Sequence, residues 1–165
     1  MPRFYVRVDK EYFDFSCGHF LLFADRTREP MHGHNYRCYV EVEGRLSSDD
    51  MVLNYIHFKP MVKRICDELN HRTLLPLKNE DLKVWRDEKQ AYAEYHDGSK
   101  FMFPIQDCIL MDEHNTSTEI LARHIWRRIE AELRAAGELE RMTAMRVGIE
   151  EAPGQMSWYE AEFEA

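Results

Sequence analysis

The sequence predicts an α+β domain in which an antiparallel sheet carries two helices on one face and a hairpin is inserted at about residues 78–112. Three observations carry that expectation. Segments at both ends of the chain alternate apolar and polar residues with a period of two and are rich in aromatic and β-branched types. Two interior segments space their apolar residues at helical intervals. Between them, Asp97-Gly98 stands between Tyr92-Ala93-Glu94-Tyr95 and Lys100-Phe101-Met102-Phe103, a strong hairpin signal. With 165 residues the chain makes one domain, 1–165, large enough to bury a core without disulfides or a structural metal.

The first strand is expected over 3–20, with room for a bulge, and there Phe13, Phe15, Cys17 and His19 share one parity. A polar break, Asp25-Arg26-Thr27-Arg28-Glu29-Pro30, leads into a second strand at about 33–46. In it Tyr36, Cys38, Val40 and Val42 continue the face set by His32 and His34. Pro60 suits a first helical position, with Met61, Val62, Ile65 and Leu69 following at helical spacing. Thr116-Ser117-Thr118-Glu119 reads as a capping box for a second helix whose buried stripe is Leu121, Ile125, Ile129 and Leu133, and Gly137 stops it. The last two strands fall at 143–151 and about 156–163. Met145, Val147, Ile149 and Glu151 share a face of the first of these.

Composition narrows the function classes. Hydrophobic residues are 44% and charged residues 32%, which excludes collagen-like and low-complexity chains. A formal net charge of −8, with no basic run, opposes binding to a phosphodiester backbone, so no nucleic-acid partner is expected. No stretch approaches the roughly 18 apolar residues of a membrane span, and the charged amino terminus lacks a signal-like apolar run. A cytoplasmic location is the expectation. The cysteines Cys17, Cys38, Cys66 and Cys108 form no C-x-x-C pair, and Cys38, Cys66 and Cys108 read as small buried hydrophobes.

The histidines are the chemical signal. Residues i and i+2 of a strand point the same way, so His32-Gly33-His34 offers two imidazoles to one point, and an antiparallel neighbour brings His19 to the same place. Three imidazoles with a fourth position open is the pattern of a catalytic zinc site; two polar strand residues with ordinary hydrogen bonds is the alternative. His57, His96, His114 and His124 have no such company and read as surface or capping residues.

Six motifs in order carry a resemblance: Phe15-Ser16-Cys17-Gly18-His19-Phe20-Leu21; His32-Gly33-His34-Asn35-Tyr36; Met51-Val52-Leu53-Asn54-Tyr55 with Phe58-Lys59; Leu69-Asn70-His71-Arg72-Thr73-Leu74; Ser117-Thr118-Glu119-Ile120-Leu121-Ala122; and Val147-Gly148-Ile149-Glu150-Glu151-Ala152. Together they resemble the 6-pyruvoyl-tetrahydropterin synthase / 6-carboxytetrahydropterin synthase family over most of the chain outside 78–112. The resemblance implies a tunnelling fold (ββααββ), assembly as a homohexamer built as a dimer of trimers, Zn2+ held by His19, His32 and His34, and a pterin triphosphate as substrate. It implies Glu151 as the pterin anchor, a carboxylate suited to two parallel hydrogen bonds from the pterin edge. Ser117 and Thr118 fall on the substrate-binding helix start, and His71 with its neighbour Asn70 on the proton-transfer pair.

Two positions depart from the family pattern. The loop before His32 has no cysteine, and Glu29 stands three residues before it, as in a variant subgroup in which a glutamate replaces the cysteine. That subgroup is associated with cutting the side chain of 7,8-dihydroneopterin triphosphate to 6-hydroxymethyl-7,8-dihydropterin. Glu29 is then the catalytic base; otherwise it is a salt-bridge partner of Arg26 or Arg28, and Cys17 is a rival thiol. Asn70 replaces the family's aspartate, and an amide does not stabilise an imidazolium as a carboxylate does. The expected function is a zinc-dependent pterin lyase, with 6-carboxytetrahydropterin synthase of the queuosine pathway or 6-pyruvoyl-tetrahydropterin synthase as alternatives. A non-catalytic zinc-containing pterin-binding oligomer is the alternative of another class. Lys83, Arg86, Lys89 and Lys100 of the insertion are either solvated or available to a triphosphate.

Overall fold

In the computed structural model, which describes residues 3–164, the first two alternating segments form β1 (Phe4–His19) and β2 (His32–Gly44), paired antiparallel from Phe4↔Gly44 to His19↔His32. The register shifts between Asp9 and Asp14 of β1. Before this bulge an even residue, Val8, is buried; after it the buried residues are odd, Phe13, Phe15, Cys17 and His19. Strand β2 shows no such shift: Tyr36, Cys38, Val40 and Val42 are buried on one face, and Tyr39 is covered on the other. The bulge therefore turns the end of β1 so that His19 shares the inward face with the start of β2.

Helix α1 (Tyr55–Leu69) begins five residues earlier than Pro60 suggests. The Asn54 side chain accepts the Ile56 N–H at 2.9 Å and starts the helix there, leaving Pro60 inside it. Phe58, Val62, Ile65, Cys66 and Leu69 form its buried stripe, and it packs on β1. Strand β3 (Arg72–Pro76) follows at once, a short apolar run that periodicity does not separate from a helix end.

The insertion is larger than a hairpin. Strands β4 (Leu82–Arg86), β5 (Gln90–Tyr95) and β6 (Lys100–Pro104) make a separate three-stranded antiparallel sheet, with Gly98 at φ +87° turning β5 into β6. Leu82, Ala91, Ala93 and Tyr95 pack against Phe20, Leu22 and Leu75 in a second core. Strand β7 (Cys108–Met111) returns to the main sheet. Helix α2 (Thr118–Ala135) lies on β8 (Met142–Ala152) and β9 (Gln155–Glu162), and the Trp126 indole donates to the Met145 carbonyl at 2.7 Å.

The main sheet runs β7-β3-β1-β2-β8-β9. Its β1–β2, β2–β8 and β8–β9 pairs are antiparallel as expected, whereas β1–β3 and β3–β7 are parallel. The predicted capping box does not form. Thr116 is fully buried and its hydroxyl donates to the Phe20 carbonyl at 3.3 Å, so Ser117 becomes the N-cap, without a side-chain bond. No helix among the described residues is long and apolar enough to cross a membrane. All four cysteines are free; Cys38 and Cys66 are buried as expected, while Cys108 is half-buried.

His124 corrects a further expectation, because it lies half-buried on α2 rather than at the surface. Burial lowers its pKa, the adjacent Arg128 and Arg127 add to this, and Glu113 and Glu68 oppose it. The unfolded chain then takes up a proton below about pH 6.5 that the folded chain resists, so folding is weakened as pH falls through that value. The thermal midpoint of the wild type is expected to fall more steeply than that of His124→Gln between pH 7 and pH 5, as read by circular dichroism. In the core, Ile125 is wholly buried, and Ile125→Ala is expected to cost about 3 kcal/mol in urea unfolding.

Candidate functional site

Three imidazoles meet where β1 ends and β2 begins. The register sets His19 opposite His32 and Cys17 opposite His34, with Gly18 facing Gly33 between them. A Cβ on Gly33 would stand 3.0 Å from the Cys17 carbonyl oxygen, so only glycine permits so close an approach of the two strands without a shift. One ring nitrogen from each of His19, His32 and His34 lies within 4.8 Å of the others, so the three could serve one ion. Ring centroids are 4.8 Å apart for His19–His32 and His32–His34, and 5.5 Å for His19–His34.

Outer contacts prepare these rings to bind a cation. The His19 Nδ1–H donates to the Thr116 carbonyl at 3.0 Å, and the His32 Nδ1–H to the Pro30 carbonyl at 2.8 Å. Protons placed at Nδ1 by these acceptors leave Nε2 of both rings as lone-pair donors. Burial lowers the His19 pKa and favours its neutral, ligating form. The His34 Nε2 is buried with no hydrogen-bond partner and lies 3.3 Å from Glu151 Oε1, out of hydrogen-bonding alignment. An orphaned buried nitrogen beside two oriented imidazoles fits a divalent transition metal, and this trio could hold one.

Two groups that the sequence reading missed complete the centre. The Tyr36 hydroxyl lies 3.0 Å from His19 Nε2, and burial raises its pKa, keeping it protonated. Its signal was available, since Tyr36 continues the parity of His32 and His34. Thr116 supplies the carbonyl that orients His19, a role that reading its hydroxyl as a helix cap obscured.

Glu29 stands at the rim of this centre. Its N–H donates to the Leu21 carbonyl at 3.0 Å, and its Oε2 accepts the Leu21 N–H at 3.2 Å while lying 3.7 Å from His32 Nε2. Neither arginine holds its carboxylate: Arg26 pairs with Asp81, and Arg28 donates to the Glu29 backbone carbonyl. Cys17 is buried and its thiol is pushed up to about 12, so it remains a thiol rather than a nucleophile.

An open cleft of about 620 Å³ lies against the trio, walled by His32, His34 and Cys17, by His71 and Arg72 at the start of β3, and by Phe103 and Asp107 of the insertion. His71 takes a left-handed backbone, φ +58°, and its N–H donates to the Ser16 carbonyl at 2.6 Å. The Asn70 Oδ1 accepts the Ser16 N–H at 2.8 Å, and among the described residues no hydrogen bond joins Asn70 to the His71 imidazole. Glu151 sits at an irregularity in the β8–β9 register, while its neighbour Glu150 accepts from the Tyr39 hydroxyl at 2.6 Å. Ser117 and Thr118 lie apart from the cleft walls, the Thr118 hydroxyl 2.7 Å from that of Ser157 on β9. The insertion's lysines stay outside too: Lys83 lies over the Trp85 ring and Lys100 faces Glu94 at 3.5 Å.

Comparison with known proteins gives the family and the fold. A Methanocaldococcus jannaschii protein provisionally named 6-carboxy-5,6,7,8-tetrahydropterin synthase is 31% identical over 88% of each chain. The 6-carboxy-5,6,7,8-tetrahydropterin synthase of Aquifex aeolicus is 25% identical over 80% of this chain and 75% of its own. The 6-pyruvoyl tetrahydropterin synthase of Plasmodium falciparum superposes with a TM-score of 0.90 at 26% identity, covering 98% of this chain and 99% of that one. Its Plasmodium vivax counterpart does so with 0.91 at 25%, covering 99% and 100%. The family model for 6-pyruvoyl tetrahydropterin synthase matches residues 7–162, and the chain belongs to that family.

Proposed function

We propose that this chain is a zinc-dependent pterin lyase that cuts the side chain of 7,8-dihydroneopterin triphosphate to give 6-hydroxymethyl-7,8-dihydropterin. The observation that carries the reading is the Glu29 carboxylate, free of any arginine and 3.7 Å from a metal-facing nitrogen of His32. The family's cysteine is absent from that loop, and a glutamate takes its place. A structural neighbour, the Plasmodium vivax enzyme, has a glutamate described as a catalytic residue, and variants at it have been solved.

Zinc on His19, His32 and His34 would acidify a side-chain hydroxyl of the substrate. Glu29 takes the proton of the C2′ hydroxyl, the C1′–C2′ bond breaks, and its electron pair passes into the pterin ring. His71, on the cleft wall, returns a proton to C1′, and the two-carbon aldehyde leaves with the triphosphate. Glu151 holds the pterin edge through paired hydrogen bonds. Ser117 and Thr118, at the start of α2 and outside the cleft walls, would meet substrate across a subunit boundary of the proposed hexamer. The reading includes assembly as a homohexamer, supported by the unpaired sheet edges β7 and β9.

Synthesis of 6-carboxytetrahydropterin from the same triphosphate is the second reading, favoured by the names of the archaeal and Aquifex relatives. Incubating zinc-loaded protein with dihydroneopterin triphosphate and identifying the pterin separates the two. A 6-hydroxymethyl product is expected. A 6-carboxy product establishes the second reading, a 6-pyruvoyl product the synthase of that name, and tight binding without turnover a pterin-binding protein. Glu29→Gln is expected to lower kcat at least about 10²-fold while zinc content by atomic absorption stays stoichiometric. His32→Ala is expected to weaken zinc binding beyond the roughly 10–100-fold that loss of an outer-shell partner costs, measured by competition with a chelating dye.

A further inference from the structure

The loop that carries Glu29 is held from outside by the inserted sheet. At one end, Arg26 takes a left-handed backbone, φ +63°, and its guanidinium pairs with Asp81 at 2.8 Å. The His96 ring donates to the Arg26 carbonyl at 2.9 Å. At the other end the Arg28 guanidinium lies among three rings, 5.0 Å from the centroid of Phe101, 5.8 Å from Tyr95 and 6.0 Å from Phe20. Phe20 and Phe101 are themselves stacked, with centroids 5.1 Å apart. No carboxylate pairs with Arg28 among the described residues; its Nε is buried without a hydrogen bond, and its Nη1 donates to the Glu29 carbonyl at 3.0 Å.

Asp81, Tyr95, His96 and Phe101 all belong to the insertion, and each touches the loop or its arginines. We infer that the inserted sheet is a clamp for the catalytic loop, and that Arg28 is the positioning residue through which it sets the Glu29 carboxylate. The inference rests on the reading of Glu29 as the base. Its physical content is that ring faces hold the half-buried cation, so that one donor is left to fix the backbone of the very next residue. Arg28 acts through Glu29 and does not itself line the cleft.

The test uses the full, zinc-loaded chain. Arg28→Met keeps an unbranched stem among the rings and removes the charge and the donor. Amide hydrogen exchange over residues 25–30 is expected to rise about tenfold, with β2 and α2 unchanged. With dihydroneopterin triphosphate, kcat is expected to fall about tenfold at a KM within about twofold of wild type, and Arg28→Lys is expected to recover part of it. Unchanged exchange over 25–30 overturns the clamp. Faster exchange with an unchanged kcat overturns the positioning of Glu29. Faster exchange in a protein whose wild type turns over no pterin supports the clamp and overturns the catalytic reading instead. Should Arg28→Met fold poorly, Asp81→Asn, which releases Arg26 at the surface, is expected to loosen the same amides by a smaller factor, and no loosening there overturns the clamp.

Discussion

The structure depends on one register. Strands β1 and β2 must meet with His19 opposite His32, and the bulge between Asp9 and Asp14 makes that meeting productive by reversing which residues of β1 face inward. A slip by one residue would turn an imidazole out of the site, because strand side chains alternate faces. The same register brings Gly33 against the Cys17 carbonyl, where a larger residue would part the strands. The helices reinforce it from behind: Phe58, Val62 and Ile65 of α1 and Leu121, Ile125 and Ile129 of α2 pack in the same core as Phe13, Phe15 and Tyr36. Folding energy and site geometry are thus supplied by one set of contacts.

The order of the fold explains how distant segments reach the site. Parallel β3 starts directly after α1, which delivers His71 and Arg72 to the cleft wall. Asn70 ends α1 and binds the Ser16 backbone N–H, while the His71 N–H binds the Ser16 carbonyl, so this turn is stitched to β1 two residues from Gly18. Thr116, just before α2, reaches back to His19 from the far side. The Asn70 and His71 contacts fix the backbone and the Thr116 contact fixes the His19 ring, and together they make the cleft a property of the sheet's end.

Much of this was legible in the sequence because its signals are local. Period-two alternation marked β1, β2, β8 and β9, helical spacing marked the buried stripes of both helices, and H-x-H on a strand marked two convergent imidazoles. The unread parts are non-local. Nothing in Thr73-Leu74-Leu75 distinguishes a parallel strand from the frayed end of α1, and its partner Cys108–Met111 lies more than thirty residues away. Pro60 misplaced the helix start because a stronger device, the Asn54 cap, acts upstream of it. Thr116 was read as a cap because its neighbours in sequence suggested one, whereas its actual partners, His19 and Phe20, are almost a hundred residues distant. His124 looked solitary in sequence and is half-buried only because α2 folds down on its neighbours.

The treatment of charge around Glu29 joins these points. Two arginines precede this carboxylate in the loop, and a guanidinium beside it would hold it as an ion pair and weaken it as a base. The structure disposes of both cations elsewhere, Arg26 on Asp81 and Arg28 among Phe20, Tyr95 and Phe101. Aromatic faces attract a cation without supplying an anion, so Arg28 is held without a carboxylate partner of its own. What remains at Glu29 is a single hydrogen bond from the Leu21 N–H, enough to aim Oε2 toward the imidazoles while leaving the other oxygen free. An insertion that contributes only Phe103 and Asp107 to the cleft walls therefore matters most through the residues it keeps away from the base.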